Sequence, residues 1–317
     1  QGTNWTAESP PVGKSDSERK TVEMRQRFEQ LLSGKRLRPR RKSRTASTQS
    51  ERNADPEYSH YLELIEPELK HSSEQIKSWL AMNPDSPTIS ILIPTYNTQS
   101  DHLRACLDSI CAQSYPHWEL CICDDCSSQS HVCEILTEYA DQDERIKLTF
   151  RQENGHICRS SNDALALATG EFIALVDHDD ALADDALYWV ARELQLRPYS
   201  NLVYSDEDKI DESGRRSSPH FKPSFNIDLL LAYNFISHLG VYRTETVRSV
   251  GGFRIGLEGS QDHDLALRVV QHSGIEQIVH IPRVLYHWRM HEASTAIDPG
   301  SKDYTTKRGL RAVQDFL

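Results

Sequence analysis

From Thr88 onward the chain alternates short apolar runs with longer amphipathic segments, and no other feature restricts its fold as strongly. Runs at 89–93, 118–123, 146–150, 171–176 and 202–204 have the length and composition of buried strands. Between them, 101–113, 131–140, 158–168 and 183–196 have helical spacing. Strands and helices in strict alternation predict an α/β fold, a mostly parallel sheet with helices on both faces. Ligands in such sheets bind beyond the carboxyl ends of the strands, so the residues that follow each strand are the candidate site.

The rest of the chain is organised around that region. Residues 1–55 read as a basic, low-complexity tether with a short amphipathic helix over 17–33. Tyr58, Tyr61, Leu62, Ile65, Leu69, Ile76, Trp79 and Leu80 then recur near helical spacing, so 56–86 reads as a helical lead-in that ends at Pro84 and Pro87. The α/β domain covers 87–300. A C-terminal helix fills 301–317, and its run to the last residue is consistent with a fragment of a longer protein.

Charge divides the chain in the same way. Residues 1–50 hold 12 Lys/Arg against 5 Asp/Glu, while the remainder holds 24 against 42. An acidic remainder argues against a nucleic-acid partner, which needs a basic groove to neutralise phosphates. A diphosphate can still bind there if a cation intervenes. The block KRLRPRRKSR at 35–44 suits either a solvated tether or peripheral contact with anionic lipid, and both readings are open. No apolar run reaches the ~18 residues of a membrane span, and no leader with an apolar segment precedes the domain. Seven cysteines, an odd number, fit a reducing cytoplasm better than a disulfide framework. Cys121, Cys123, Cys126 and His131 allow a zinc reading, but C-x-C-x-x-C is not a usual ligand spacing.

Three strands deliver polar groups to one sheet edge: Pro94-Thr95-Tyr96-Asn97, Asp124-Asp125 and Asp177-His178-Asp179-Asp180. Carboxylates crowded at an edge repel one another unless something positive sits among them. Two aspartates one residue apart suit a hard ion, Mg2+ or Mn2+, that keeps positions open for diphosphate oxygens. Asp179 and Asp180 also suit the cap of the following helix.

The segments SILIPTYN, CICDDCS, ENGHICRSSNDALALATGEFIALVDHDD and GSQDHDLALR, in this order, resemble family 2 glycosyltransferases of the GT-A fold. The resemblance spans about 88 to 295. YSDEDKID, FKP, HLGVYR and HIPRVLYHWR resemble the bacterial O-antigen and polysaccharide branch of that family. It implies that Pro94, Tyr96 and Asn97 line a nucleotide pocket and that Asp125 accepts a hydrogen bond from the base, usually uracil. Asn154, Gly155, Asn162, Asp177 and His178 complete the donor site by the same resemblance. A carboxylate opposite an imide N–H agrees with uracil on chemical grounds.

The resemblance further implies a metal on Asp177 and Asp179, with a downstream histidine, His287 in preference to His291, completing its shell. It places the catalytic base at Asp262, at the start of a helix that Ser260 and Asp264 are equally able to cap. The chain departs from the family where Ser160-Ser161-Asn162 stands for Ala-Arg-Asn, so the usual arginine is absent and Arg159 is a candidate substitute. Gln261 replaces the commoner glutamate beside Asp262. Asp206-Glu207-Asp208-Lys209, after the fifth strand, reads either as a charged turn or as part of the sugar and acceptor region.

Together these features predict a cytoplasmic, metal-dependent, inverting glycosyltransferase. It would move a sugar from a nucleoside diphosphate, UDP favoured, to a glycan or lipid-linked glycan acceptor. Two rivals are a sugar nucleotidyltransferase, whose glycine-rich first loop is missing, and a catalytically silent nucleotide-sugar-binding or scaffolding domain.

Overall fold

The structure, a computed structural model, describes residues 55–290 and 303–317. The expected helix over 17–33, the basic block 35–44 and His291 lie outside the described residues. In chain order the elements are α1 (Pro56–His60), a π-helical turn (Tyr61–Ile65), α2 (Glu66–Leu69), α3 (Ser73–Met82), β1 (Ile89–Thr95), α4 (Ser100–Cys111), β2 (Trp118–Asp124), α5 (Ser130–Gln142) and β3 (Ile146–Phe150). There follow α6 (His156–Leu167), β4 (Phe172–Leu175), β5 (Ala181–Leu182), α7 (Ala186–Leu196), β6 (Leu202–Ile210), β7 (Arg216–His220) and α8 (Ile227–Ala232). The last are β8 (Gly240–Arg243), α9 (Thr244–Ser249), α10 (Gln261–His272), β9 (Ile278–Arg289) and α11 (Asp303–Phe316).

Nine strands form one sheet in the order β3-β2-β1-β4-β8-β6-β9-β5, with β7 paired to β6. β1 explains why this sheet is buried on both faces. Side chains alternate along a strand, so Ile89, Ile91 and Ile93 enter one core and Leu92 the other. Helices α4, α5 and α7 cover the first face through Leu103, Leu107, Val132, Leu136 and Leu187. On the second face α6, α8, α9, α10 and α11 contribute Leu165, Leu230, Val247, Leu265 and Ala312. Each fully buried aliphatic side chain is worth about 1.5–3 kcal/mol of transfer free energy.

The sheet is parallel across β3, β2, β1 and β4 and mixed beyond them: β8 runs antiparallel to β4 and β6, while β9 is parallel to β6. The fifth apolar run is longer than its sequence shows. β6 continues through Asp206, Glu207 and Asp208, each less than 9% exposed, so this acidic stretch is strand and not a turn. Its charges are tolerated because each has a partner: His280 on Asp206 at 2.7 Å, Lys222 on Glu207 at 3.2 Å, and His287 on Asp208 at 2.6 Å.

The lead-in packs on this same part of the sheet. Asp55 caps α1 by accepting from the backbone N–H of Glu57, with Pro56 set at the first helical position. Tyr58 donates to Asp208, and Arg216 bridges Asp208 to Glu66 at 2.7 Å. A reciprocal capping box between Ser72 and Gln75 starts α3.

At the amino end of the strands Glu119 ties β2 to its neighbours. Its carboxylate accepts from Ser90 Oγ at 2.7 Å, Thr169 N at 2.5 Å and Lys147 Nζ at 2.6 Å. Burial alone would raise its pKa, but the Lys147, Ser90 and Thr169 donors outweigh burial and hold it at about 2.

Candidate active site

The carboxyl ends of β1, β2 and β4 reach the same edge, because Thr95 pairs with Asp124 and Leu92 with Leu175 in register. On the outer side of this edge the expected nucleotide residues form a connected surface. Asn97 takes a left-handed conformation, φ 49°, which asparagine tolerates better than most residues. Its Oδ1 accepts from Ser128 N at 2.9 Å and its own N–H donates to Ser127 Oγ at 2.9 Å, binding the β1 loop to the β2 loop. Pro94 is half-buried beneath them and Tyr96 is exposed.

Asp125 is buried. Its Oδ1 accepts from Gly155 N at 2.8 Å and lies 2.9 Å from Arg151 Nε, which leaves Oδ2 as the oxygen able to read a ligand N–H. Asn154 donates to the Asp125 carbonyl at 3.1 Å, so Asp125 is tied to both Asn154 and Gly155. Arg159 is exposed on the first turn of α6. Asn162 does not join this surface. Its amide donates to Phe253 O at 2.8 Å and accepts from Phe253 N at 2.9 Å, so both ends hold the backbone that follows Gly252.

After β4 the chain places four polar residues in sequence. His178 meets Thr98 Oγ1 at 2.8 Å. Asp177 is half-buried at the rim, with Oδ2 3.9 Å from His238 Nε2. Among the described residues, one ligand atom each from Asp177, Asp180 and His238 lie within 4.8 Å of one another. Asp180 is already engaged: Oδ2 accepts from Tyr286 Oη at 2.5 Å and Oδ1 from Arg289 N at 2.7 Å. Burial, with the charges of Asp179 and Asp177 added, pushes its carboxyl well above the usual carboxylate range. Asp180 therefore latches this loop to β9, and neither it nor Asp179 caps α7, whose N-cap is Asp185. By donor type the Asp177, Asp180 and His238 group suits a divalent cation, since hard oxygen ligands and an imidazole fit Mn2+, whereas Asp179, the second aspartate of the expected pair, is not among the ligand atoms brought together there.

His287 is not brought to this group. Side chains of β9 alternate, so Tyr286 and Trp288 face His238, at ring distances of 4.5 and 5.8 Å, while His287 points to the other face. There its Nδ1 meets Asp208 Oδ1 at 2.6 Å, beneath the lead-in.

Asp262 stands in the first turn of α10, and its neighbour Asp264 separates from it in role. Asp264 is buried and ion-paired to Arg254 and Arg268, which makes it structural. Ser260 is the N-cap and no side chain caps the helix, so Asp262 is not held by capping. Its Oδ2 instead accepts from Asn234 Nδ2 at 2.8 Å. Asp262 also lies close enough to Asp177 for their charges to repel. No motif or periodicity pointed to Asn234. For His238 there was one, its place in the HLGVYR segment.

The cysteines divide otherwise. Cys121 and Cys123 are core residues of β2, and burial pushes their thiols up to about 12 and about 11, while Cys126 is exposed.

Comparison with known proteins places the chain in a family. The family model described as Glycosyl transferase family 2 matches residues 90–251. An uncharacterized protein, y4gI, of Sinorhizobium fredii is 45% identical over 74% of this chain and 26% of its own length. The O-antigen biosynthesis protein RfbC of Myxococcus xanthus is 37% identical over 73% of this chain and 18% of its own length. The chain thus spans about a quarter or less of the length of these two relatives. The structure of S. aureus TarS 1-349 in complex with UDP-GlcNAc superposes with a TM-score of 0.60, at 20% identity, over 72% of this chain and 66% of that one. It shares the fold that the family resemblance implied, a sheet of GT-A type, here mixed. With more than half of its residues matched by the family model, this chain belongs to glycosyl transferase family 2.

Proposed function

We propose that the chain carries an inverting glycosyltransferase that uses a UDP-linked sugar and a hydroxyl of a glycan or lipid-linked glycan in bacterial surface polysaccharide assembly. The observation that carries this reading is the loop between α8 and β8. It brings Asn234 to 2.8 Å from Asp262 and His238 to 3.9 Å from Asp177, so that one loop links the two carboxylates which this reading sets about a common cleft. Similarity to an O-antigen biosynthesis protein and to a structure holding UDP-GlcNAc supports the class of donor and pathway.

In this reading Asp125 Oδ2 accepts the uracil imide N–H, while Tyr96 and Asn97 border the base and His178 the donor side of the cleft. Asp177 with His238, and Asp179 by the family resemblance, would hold Mn2+ or Mg2+. Such an ion supplies charge stabilisation to the departing diphosphate. Asp262 takes the proton of the acceptor hydroxyl as its oxygen bonds to the anomeric carbon and the bond from that carbon to the diphosphate oxygen breaks. Asn234, donating to Asp262 Oδ2, keeps the carboxylate turned toward the cleft. Trp288, half-buried beside His238, offers a ring face to the sugar.

The described residues contain no helix long and apolar enough to cross a membrane. A cytoplasmic location, with peripheral contact through the basic block at 35–44, belongs to the same proposal. Its test is a panel of nucleotide sugars screened by thermal shift with and without Mn2+, followed by UDP release in the presence of acceptor glycans. Stabilisation by one UDP-sugar and acceptor-dependent release are expected. Binding without any release would favour a silent domain, and no binding by any member would remove the reading.

A further inference from the structure

A lysine with no exposed side-chain surface lies behind the cleft. Lys222, between β7 and α8, donates from Nζ to the Ile236 carbonyl at 2.7 Å, to the His238 carbonyl, and to Glu207 Oε2 at 3.2 Å. An ammonium has three donors, and here each has an acceptor. Glu207 Oε2 also accepts from the His238 backbone N–H at 3.1 Å, and His220 approaches Oε1 at 3.3 Å. The Lys222 backbone N–H is itself fixed to Asp206 on β6 at 2.8 Å. A buried ion pair is a poor stabiliser in its own right, because desolvation offsets most of its Coulomb attraction. What it supplies is geometry.

That geometry falls on one short stretch. The residues held from behind, Ile236 and His238, belong to the loop whose front side chains are Asn234 and His238. Within the loop the Ser237 N–H donates to Asn234 Oδ1 at 3.3 Å, so the two ends share one hydrogen-bonded frame. From it Asn234 reaches Asp262 at 2.8 Å, while the His238 ring stacks on Tyr286 at 4.5 Å and approaches Asp177. Apolar packing could fill the space around Lys222, but it could not hold two carbonyls and a carboxylate at one point.

We propose that Lys222 is a positioning residue: with Glu207 it clamps the loop that delivers Asn234 to Asp262 and His238 to Asp177, and so sets both halves of the cleft at once. The role rests on the glycosyl-transfer reading of Asp177 and Asp262, whereas the clamp itself does not. Lys222 touches no reacting group in this arrangement and acts through the loop alone.

The test uses the full chain as Lys222→Met, with Glu207→Gln as the milder variant where the first does not fold. Backbone hydrogen exchange is followed at Ser237, His238 and Leu239, and UDP binding is titrated in Mn2+. Exchange at these amides is expected to quicken about tenfold, with exchange at the β1 and β2 amides unchanged, and Mn2+-dependent UDP affinity to weaken about tenfold. The loss of affinity should be absent when Lys222→Met is added to His238→Ala, because the two act through one contact. Unchanged exchange in a folded variant overturns the clamp, whatever the wild type binds. Faster exchange with undiminished UDP binding, or full additivity with His238→Ala, overturns the positioning role. Failure of the wild type to bind UDP with Mn2+ would instead strike the reading of the cleft, and the exchange result would still decide the clamp.

Discussion

The two ends of the sheet both bury carboxylates, but they treat them in opposite ways. At the amino end Glu119 is surrounded by donors, and its acidity is strengthened to about 2. At the carboxyl end Asp177, Asp179 and Asp180 stand side by side, and burial, with the charges of its two neighbours added, pushes Asp180 well above the ordinary range although Tyr286 and the Arg289 N–H donate to it. A carboxylate whose donors include a cation, as Lys147 is for Glu119, belongs to the fold. One crowded by like charge costs the fold stability and needs something from outside, so the difference separates architecture from site. The same contrast recurs from the fifth residue of β6, where the acidic stretch is paired with Lys222, His280 and Arg216 and is structural.

Substitutions at the two ends should therefore fail differently, and the largest effect belongs to the carboxyl end. Asp177→Ala should lower transfer by about 10⁴-fold, through lost metal-dependent donor binding, since the ion's charge stabilisation is worth several kcal/mol. Its melting temperature without metal should not fall, because one repelling charge is gone. A fold that melts much earlier, with donor affinity intact, would erase the contrast. Asp262→Asn comes next. It should keep Mn2+-dependent UDP binding while transfer drops about 10² to 10⁴-fold, the usual worth of a general base. Equal losses of binding and transfer would show that Asp262 holds the donor and not the acceptor proton.

Glu119→Ala should do the reverse, costing about 3 kcal/mol of stability and leaving the donor affinity of the folded fraction unchanged. The pH dependence carries the same sign. With a folded pKa of about 2 against an ordinary value near 4.5, Glu119 contributes stability that is present above the ordinary value and lost as pH falls through about 2. Denaturant melts from pH 6 down to pH 2 should show an acid-side loss on the order of 3 kcal/mol from this group, and Glu119→Gln should flatten it. The smallest effect is expected at Asn162. Asn162→Ala should cost about 1–3 kcal/mol by leaving the Phe253 N–H and carbonyl without partners, with donor affinity within about twofold of the wild type. A large, selective loss of UDP affinity there would restore Asn162 to the nucleotide pocket.

The sequence and the structure agree best where periodicity is strong. β1 to β4 and the helices between them are short apolar runs and amphipathic stretches, and their ends fall within a few residues of expectation. β6 was legible only as far as Tyr204, because three acidic residues in a row look like solvent-facing turn until Lys222, His280, His287 and Arg216 are seen to face them. Those partners are distant in sequence, and no local pattern announces them. Asp177 and Asp262 could be named from motif resemblance, and the fold brings both into contact with one loop, through His238 and Asn234. His287 could be named in the same way, yet the alternation of β9 turns it to the other face and onto Asp208. Asn234 lies in an irregular loop without periodicity or motif, so only its tertiary contact reveals it, while His238 stands in the HLGVYR segment but shows its place beside Asp177 only in the fold.

In the proposed mechanism Asp262 acts as a base on the face of the sugar opposite the departing diphosphate. The most direct measurement is the anomeric configuration of the product formed by the wild-type chain from its UDP-sugar, read by NMR from the coupling of the anomeric proton. A single in-line displacement predicts a product of configuration opposite to that of the donor. A product that keeps the donor's configuration would contradict the assignment of Asp262 and the inverting mechanism together.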